Sequence, residues 1–223
     1  MSAKGARTVE APLATAQPRD TGIDAVASAT RRLIDAITRA GGAVDADANR
    51  IVADLDALTA RIDAHAPDLS ERIATMWRQP GPGRFDPAGG TENPLSPPVA
   101  LWVEPDGSLR GEVTLRLAFQ GPPGHVHGGT SAMLMDHALG IANARAGYAA
   151  VTVGLDISFR AAIPIGSTIT ILARHDGRDG RKVRSSGELR VGDLTCVTAT
   201  GTFVLMDDPS TKEKFRRPSR EQA

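Results

Sequence analysis

The sequence has few of the features that mark secreted, membrane or nucleic-acid-binding proteins. It contains one cysteine, Cys196, which excludes an internal disulfide and favours a reducing, cytoplasmic location. Its 26 Lys and Arg residues equal its 26 Asp and Glu residues, so no overall charge points to nucleic acid or to a cationic partner. No apolar run approaches the roughly 18 residues of a membrane span. The N-terminus also lacks the apolar core of a signal peptide.

Hydrophobic periodicity divides the 223 residues into five segments. Residues 1–21 have no periodicity and are expected to form a disordered tail, and the polar residues 207–223 are expected to fray. Residues 22–78 predict a helical extension, which either covers one face of the main domain or acts as a lid or oligomer contact. Residues 79–98, rich in Gly and Pro, predict an irregular connection. Residues 99–206 form the main domain.

Apolar residues at helical spacing predict two helices in the extension, which Gly41-Gly42 separates. We expect these two helices to pack as an antiparallel pair. A short third helix is predicted near Ser70–Trp77, begun by a capping residue.

The main domain has the order strand, strand, helix and then four strands. Val99–Glu104 and Leu109–Ala118 flank a Pro-Asp-Gly turn and predict a hairpin. Alternating apolar and polar residues predict a strand over 151–159. Glycine turns separate three further strands, so consecutive strands should be antiparallel: Ser167–His175, Lys182–Val191 and Leu194–Met206. The apolar face of such a sheet needs cover, and the long apolar helix is a suitable partner.

One carboxylate, Asp136, lies in this long helix. Apolar residues cover nearly its whole circumference, which predicts a buried helix: Ala132, Met133, Leu134, Met135, Ala138, Leu139, Ile141 and Ala142. An ionised group without partners is costly in low dielectric, so Asp136 must find donors, stay neutral or face a cleft. Capping, or pairing with an arginine in the core, is the alternative to a catalytic role.

A glycine-rich loop precedes the helix and ends in His127-Gly128-Gly129. The absence of side chains lets the free N–H groups of the first turn approach a ligand oxygen, as in an oxyanion hole. Asp136, about two turns further along, can serve as base or nucleophile on a site assembled with another chain segment. Thr152, on the next strand, offers a hydroxyl that can orient water. These groups together suit acyl-group hydrolysis.

The motif Phe119-Gln120-Gly121-Pro122-Pro123-Gly124, followed by His127-Gly128-Gly129 and Asp136, resembles acyl-CoA thioesterases of the phenylacetate-pathway type in the thioesterase superfamily. The resemblance covers residues 95–206. It implies an α+β hotdog fold, an antiparallel sheet wrapped around a long central helix, to which this chain adds its N-terminal helical extension. It also implies hydrolysis of a fatty or aromatic acyl-CoA without a bound cofactor, and a homodimer or dimer of dimers whose site lies at the subunit interface.

The resemblance assigns catalytic roles to four residues. Asp136 is the general base or nucleophile, and Gly128 donates its backbone N–H to the thioester carbonyl. His127 holds the loop, and Thr152 assists the attacking water. The substrate-binding positions that it implies are Gly129, Gln120, Ser158, Arg160, Arg181 and Lys182. Cationic side chains in this set suit the phosphates of CoA.

One position departs from the family pattern. Some members have an Asn six residues before the His, where it polarises the carbonyl or holds water, whereas this chain has Gly121. Either Gln120 substitutes for that Asn, or the oxyanion hole depends on the backbone alone.

Two other functions remain open at this point. A hydratase or dehydratase acting on acyl thioesters has the same fold but uses an Asp–His pair with different spacing. A non-catalytic acyl-CoA-binding module would bind without turnover. A metal site is not predicted, because His125, His127, Asp136 and His137 follow no recognised ligand spacing.

Overall fold

The computed structural model describes residues 12–76, 83–97 and 99–207. Its centre is one six-stranded sheet in which every neighbouring pair of strands is antiparallel. The strands are β1 Ala100–Val103, β2 Leu109–Thr114, β3 Ala150–Phe159, β4 Thr168–Asp179, β5 Lys182–Val191 and β6 Leu194–Leu205. Their order in the sheet is β1-β2-β4-β5-β6-β3, so β3 is an edge strand that pairs with β6 alone.

The central helix α4, Gly128–Arg145, packs against one face of this sheet. Its buried apolar residues recur at helical spacing and join the inward-facing strand residues in one core. The helix side consists of Leu134, Met135, Ala138, Leu139 and Ala142, and the strand side includes Ile171, Val183, Leu189, Val197 and Phe203. The packing is close, because a Cβ added at Gly187 would lie 2.6 Å from the methyl carbon of Met135. The predicted α+β architecture is confirmed.

The prediction that α4 is buried on all sides is wrong for a single chain. Ala132, Met133 and Ile141 are only half-buried, and Ala144 is exposed. The sheet covers one side of the helix, and on the other side Ile141 and Ala144 line an open groove described below. The apolar residues on the side of α4 away from the sheet therefore do not pack against the sheet of their own chain.

The helical extension contains α1 Gly22–Ala40, a 3-10 helix Gly41–Asp47, α2 Ala48–Asp63 and α3 Leu69–Met76. The expected antiparallel packing of the first two helices is wrong. The 3-10 helix keeps them apart, and the main contacts of α2 are with that segment. Gly41 ends α1 at φ 49°, a conformation that favours glycine. The predicted end of the third helix, Trp77, lies outside the described residues.

Charged side chains attach α1 to the rest of the chain. Asp24 is buried and accepts hydrogen bonds from Arg19 and Arg84, the latter in the connection between α3 and β1. Arg31 donates to the backbone oxygens of four residues in the same connection: Gly90, Thr91, Asn93 and Ser96. Asp35 accepts from Arg116, just beyond β2. The predicted irregular connection is thus held in place by the polar face of a helix.

The expectation of a disordered tail over residues 1–21 is wrong for its second half. Leu13 forms a bridge with Trp102, and Ala14 donates its N–H to Leu101 O at 2.7 Å. Ala14, Thr15 and Ala16 are buried. The segment pairs because β1 offers an open edge of the sheet. Residues 1–11 and 208–223, also expected to be tails, lie outside the described residues.

No helix in the described parts of the chain is both long enough and apolar enough to cross a membrane.

Candidate active site

The loop before α4 is fixed by its own hydrogen bonds. His127 is the N-cap residue of α4, and its Nδ1 accepts the N–H of Gly129 at 2.9 Å. This ring nitrogen therefore acts as the hydrogen-bond acceptor that caps the helix. The backbone N–H of His127 donates to Phe119 O at 2.9 Å. The Gly128 N–H, in the first turn, has no partner among the described residues and is available to a ligand oxygen.

Two neighbouring residues explain how this loop departs from the family pattern. A Cβ at Gly121 would lie 2.8 Å from His127 Cα, so the backbone leaves no room for a side chain at this position. The Gln120 Oε1 accepts the N–H of Gly124 at 2.8 Å and thereby closes the loop on itself. Within one chain, the side-chain oxygen of Gln120 is therefore engaged in holding the turn.

Asp136 and Thr152 are brought together by packing of α4 beside β3. The Thr152 hydroxyl donates to Asp136 Oδ1 at 2.8 Å. Asp136 is half-buried and Thr152 is exposed, so both groups remain open to solvent on one side. The register of β3 against β6 shifts between Thr152 and Gly154. Such an irregularity re-aims side chains locally, and it lies directly beside the carboxylate.

A groove of about 640 Å³ extends along α4 from Asp136. Its floor is formed by residues on one side of the helix: Asp136, His137, Gly140, Ile141, Ala144 and Arg145. The start of β3 forms one wall, and the segment of residues 14–16 lines the groove together with Gly83, Asp86 and Gly89. The segments that precede the main domain therefore contribute directly to the cavity beside the carboxylate.

His137 pairs with Asp86, a contact that the sequence pattern did not predict. His137 Nδ1 lies 3.1 Å from Asp86 Oδ1, and its Nε2 is buried without a partner among the described residues. Burial tends to raise the pKa of Asp86, but its hydrogen bonds with His137 and with the Ala88 N–H hold that pKa below its ordinary value. A Cβ on Gly89 would lie 2.4 Å from Nε2, so Gly89 packs directly against the imidazole. No sequence pattern links these residues, which lie in different segments.

The predicted catalytic residues form two half-sites in a single chain. Gly128 and Asp136 are eight positions apart on one helix, which separates them by about 12 Å at a rise of 1.5 Å per residue. A carbonyl held by the Gly128 N–H, at about 3 Å, cannot also lie within about 3 Å of the Asp136 carboxylate. The first half-site contains His127 and Gly128, and the second contains Asp136 and Thr152.

The predicted substrate-binding residues also divide between two ends of the sheet. A Cβ on Gly128 would lie 3.3 Å from Phe159, so the end of β3 that carries Ser158, with Arg160 just beyond it, lies beside the first half-site. The turn of Arg181 and Lys182 lies at the opposite end, where Leu205 N donates to Arg181 O. Arg160, Arg181 and Lys182 are exposed. One chain does not bring these cations together.

Two protein-family profiles match the chain. Residues 123–198 match the thioesterase superfamily, and residues 14–71 match the N-terminal helical domain of hypothetical protein RHA1_ro05818. A solved structure, that of protein RHA08564, described as a thioesterase superfamily protein, is 40% identical in sequence. The match covers 87% of this chain and 96% of that chain, with a TM-score of 0.78.

Two curated relatives are acyl-coenzyme A thioesterases. THEM4 of Bos taurus is 38% identical over 90 residues, which is 40% of this chain and 37% of the relative. THEM4 of Xenopus laevis is 30% identical over 89 residues, which is 39% of this chain and 40% of the relative. The chain therefore matches about two fifths of the length of these two proteins.

Proposed function

We propose that this chain, which belongs to the thioesterase superfamily, hydrolyses an acyl-CoA to the free acid and CoA. The family resemblance inferred from the sequence motif is confirmed. The observation that carries the proposed activity is the Asp136 carboxylate, held at 2.8 Å by Thr152 at the end of an open groove. The name of the THEM4 relatives supports the choice of acyl-CoA as substrate.

Completion of the site requires a second copy of the chain. The half-sites are about 12 Å apart on α4, so the Gly128 N–H of one copy is proposed to act with Asp136 of the other. The edge strand β3 is available for such pairing, because among the described strands it has a neighbour on one side alone. Val153 and Phe159 on β3 are 57% and 60% exposed, as expected for a surface that a partner covers. The proposed assembly is a homodimer or a dimer of dimers.

The chemistry then follows from the two half-sites. Asp136 removes a proton from water, whose oxygen attacks the thioester carbon, or Asp136 attacks that carbon itself and forms an anhydride that water then hydrolyses. The Gly128 N–H stabilises the negative charge on the carbonyl oxygen. The carbon–sulfur bond breaks, and the CoA thiolate leaves and takes up a proton. Thr152 orients the nucleophile by its bond to Asp136, and His127 keeps the Gly128 N–H in position.

The remaining predicted contacts concern the two ends of the substrate. Ser158, Arg160, Arg181 and Lys182 are proposed to contact CoA, the cations meeting its phosphates. In a dimer, the two ends of the sheet that carry them would come from different copies. The acyl group is proposed to occupy the groove along α4, whose lining includes small residues at Gly140 and Ala144. Either a fatty or an aromatic acyl group fits this description. A cytoplasmic location is proposed from the single cysteine.

The first test compares CoA release by the wild type and Asp136→Asn across a panel of aliphatic and aromatic acyl-CoAs. Loss of the base is expected to lower kcat about 10²- to 10⁴-fold, while acyl-CoA binding is retained. Asp156→Asn is the matched control, because Asp156 is an exposed carboxylate on the same strand as Thr152 and should leave kcat unchanged.

Two outcomes would overturn the proposal. Stoichiometric acyl-CoA binding without turnover by the wild type would favour the non-catalytic binding module. Hydration or dehydration of an acyl thioester, with no CoA released, would favour the hydratase class.

A further inference from the structure

Helix α1 faces the main domain with its charged side and faces solvent with its apolar side. Asp24 and Asp35 are buried on the inner side, where Arg31 also binds its four carbonyl groups. The outer residues recur at spacings of three and four: Ile23, Val26, Thr30, Leu33 and Ile37. Ile23, Val26 and Ile37 are each nearly half-exposed. A surface helix of a globular protein normally turns its apolar side towards the core and its charged side towards solvent. The exposed apolar side of α1 is therefore a candidate contact surface.

Helix α2 extends the same feature. None of its 16 residues is fully buried. Its apolar stripe has the spacing of a coiled-coil seam and consists of Ile51, Leu55, Leu58 and Ile62. Val52 flanks this stripe and is 54% exposed. Ile51 and Leu55 are half-buried, whereas Leu58 and Ile62 are 45% and 48% exposed. A 16-residue helix whose apolar face is left partly open has little stability of its own in water, so a partner is needed to account for it.

Within one chain, the other described elements leave the Leu58 and Ile62 half of this stripe uncovered. Among the described elements, α2 has its main contacts with the neighbouring 3-10 helix alone. Residues 1–11 and 208–223 are polar and have no apolar periodicity, the latter containing Phe215 as their one large apolar residue. The α2 stripe, in contrast, is complementary to itself.

In an antiparallel, two-fold symmetric pair of α2 helices, the apolar stripe of one helix would pack against the same stripe of the other. With the axis between residues 56 and 57, Leu55 of one copy lies opposite Leu58 of the other, and Ile51 lies opposite Ile62. Each contact then occurs twice, as an isologous interface requires. All four stripe residues are covered in this arrangement.

The charges beside the stripe favour this orientation. Asp54 and Arg61 are seven residues apart on the same flank, and neither forms an ion pair within the described part of the chain. Antiparallel pairing places Asp54 of each copy beside Arg61 of the other. In a parallel pair, Asp54 of one copy would instead lie at the same level as Asp54 of the other, and Arg61 at the same level as Arg61. Charges that flank such a seam set partner choice and orientation.

We propose that α2 is an oligomerisation helix, which binds α2 of a second copy in an antiparallel pair centred on Leu55 and Leu58. This interface is separate from the active-site interface proposed above and does not depend on the proposed activity. It predicts that the assembly in solution contains one more doubling than the active-site interface alone provides.

The first test measures the molar mass of the full chain by light scattering. Leu58→Asp should halve the mass of the wild type, because it places two charges in the centre of the pair. Ala57→Asp, an equal charge change at an exposed position off the stripe, should leave the mass unchanged. Because an unpaired α2 has little stability of its own, far-UV circular dichroism should show a loss of helix no larger than the length of α2 in Leu58→Asp and no loss in Ala57→Asp. Equal masses for the wild type and both variants would overturn the proposal.

The second test checks the orientation by crosslinking. The double variant Asp54→Cys with Arg61→Cys should form dimers with a short bis-maleimide, whereas each single variant should not. The native Cys196 is buried and does not compete. Failure of the double variant to crosslink, or equal crosslinking by a single variant, would refute the antiparallel register.

Discussion

If the groove along α4 holds the acyl chain, side chains added to its floor should limit chain length at different points. Gly140 and Ala144 lie four and eight residues beyond Asp136, which places them about 6 and 12 Å along the helix. With carbon–carbon bonds of about 1.5 Å, an extended chain advances about 1.25 Å per carbon. Gly140→Leu should therefore obstruct chains longer than about 5 carbons, and Ala144→Leu chains longer than about 10 carbons.

The size of the effect follows from the methylenes that lose their place. Each buried CH₂ contributes about 0.8 kcal/mol, and 1.4 kcal/mol corresponds to a factor of ten in rate or affinity. Displacing three methylenes should thus lower kcat/KM roughly 50-fold for the obstructed substrate. The backbone at Gly140 has room for an added Cβ, because the nearest atom to that Cβ is Phe203 Cε1 at 3.8 Å.

The assay is kcat/KM against acyl-CoAs from 2 to about 16 carbons for the wild type and both variants. Gly140→Ala is the control, since it adds one methyl group at the same position. We expect two separate length thresholds, with acetyl-CoA unaffected by either leucine. A uniform loss at all chain lengths, or no change at any length, would refute the placement of the acyl chain.

Two further predictions concern stability. Burial of Asp24 tends to raise its pKa, but Arg19 and Arg84 lower it from 3.8 to about 2. Because this folded-state pKa lies below the unfolded value, the stabilisation is present above about pH 4 and is lost as the pH falls towards 2. The loss in the free energy of unfolding is at most about 2 kcal/mol, reduced by the exposure of Arg19. Urea unfolding of Asp24→Asn should lack this acid-dependent loss, and an unchanged pH profile would contradict the assignment. Gly89→Ala should displace His137 and lower stability by about 1–3 kcal/mol, whereas Gly83→Ala, with 3.8 Å clearance in the same connection, should not. Equal urea midpoints for these two glycine variants would show that the contact with His137 is unimportant.

The main elements could be predicted because their signals are local. Period-two alternation identified β3, and the glycine-rich loop followed by apolar residues identified α4. The order of the strands in the sheet was less accessible, since β3 pairs with β6 and not with its sequence neighbour β4. The residues of a short turn indicate that the two strands beside it pair as a hairpin. They do not indicate which strand pairs with β3, because a longer connection separates β3 from β4.

Part of the candidate site could be predicted because its sequence signals are also local. The motif located His127, Gly128 and Asp136, and the structure adds the contact of Asp136 with Thr152. The pairing of His137 with Asp86 was not predictable, because it joins a helix to an irregular segment. The sequence also did not predict which side of α1 faces the main domain. Hydrophobic periodicity identifies an apolar face, but it does not indicate whether that face turns inwards.

The polar attachment of α1 has a consequence for how the molecule opens. In the part of the chain that the structure describes, the apolar core draws on the sheet, α4 and the segment around Ala14, and it contains no residue of α1, α2 or α3. The three helices can therefore be released by breaking ion pairs and carbonyl contacts while the core stays intact. Such a segment behaves as a separate cooperative unit with a lower opening free energy than global unfolding. Amide hydrogens of the helical extension should accordingly exchange faster than those of β4, β5 and α4, so transient release of these three helices does not require unfolding of α4.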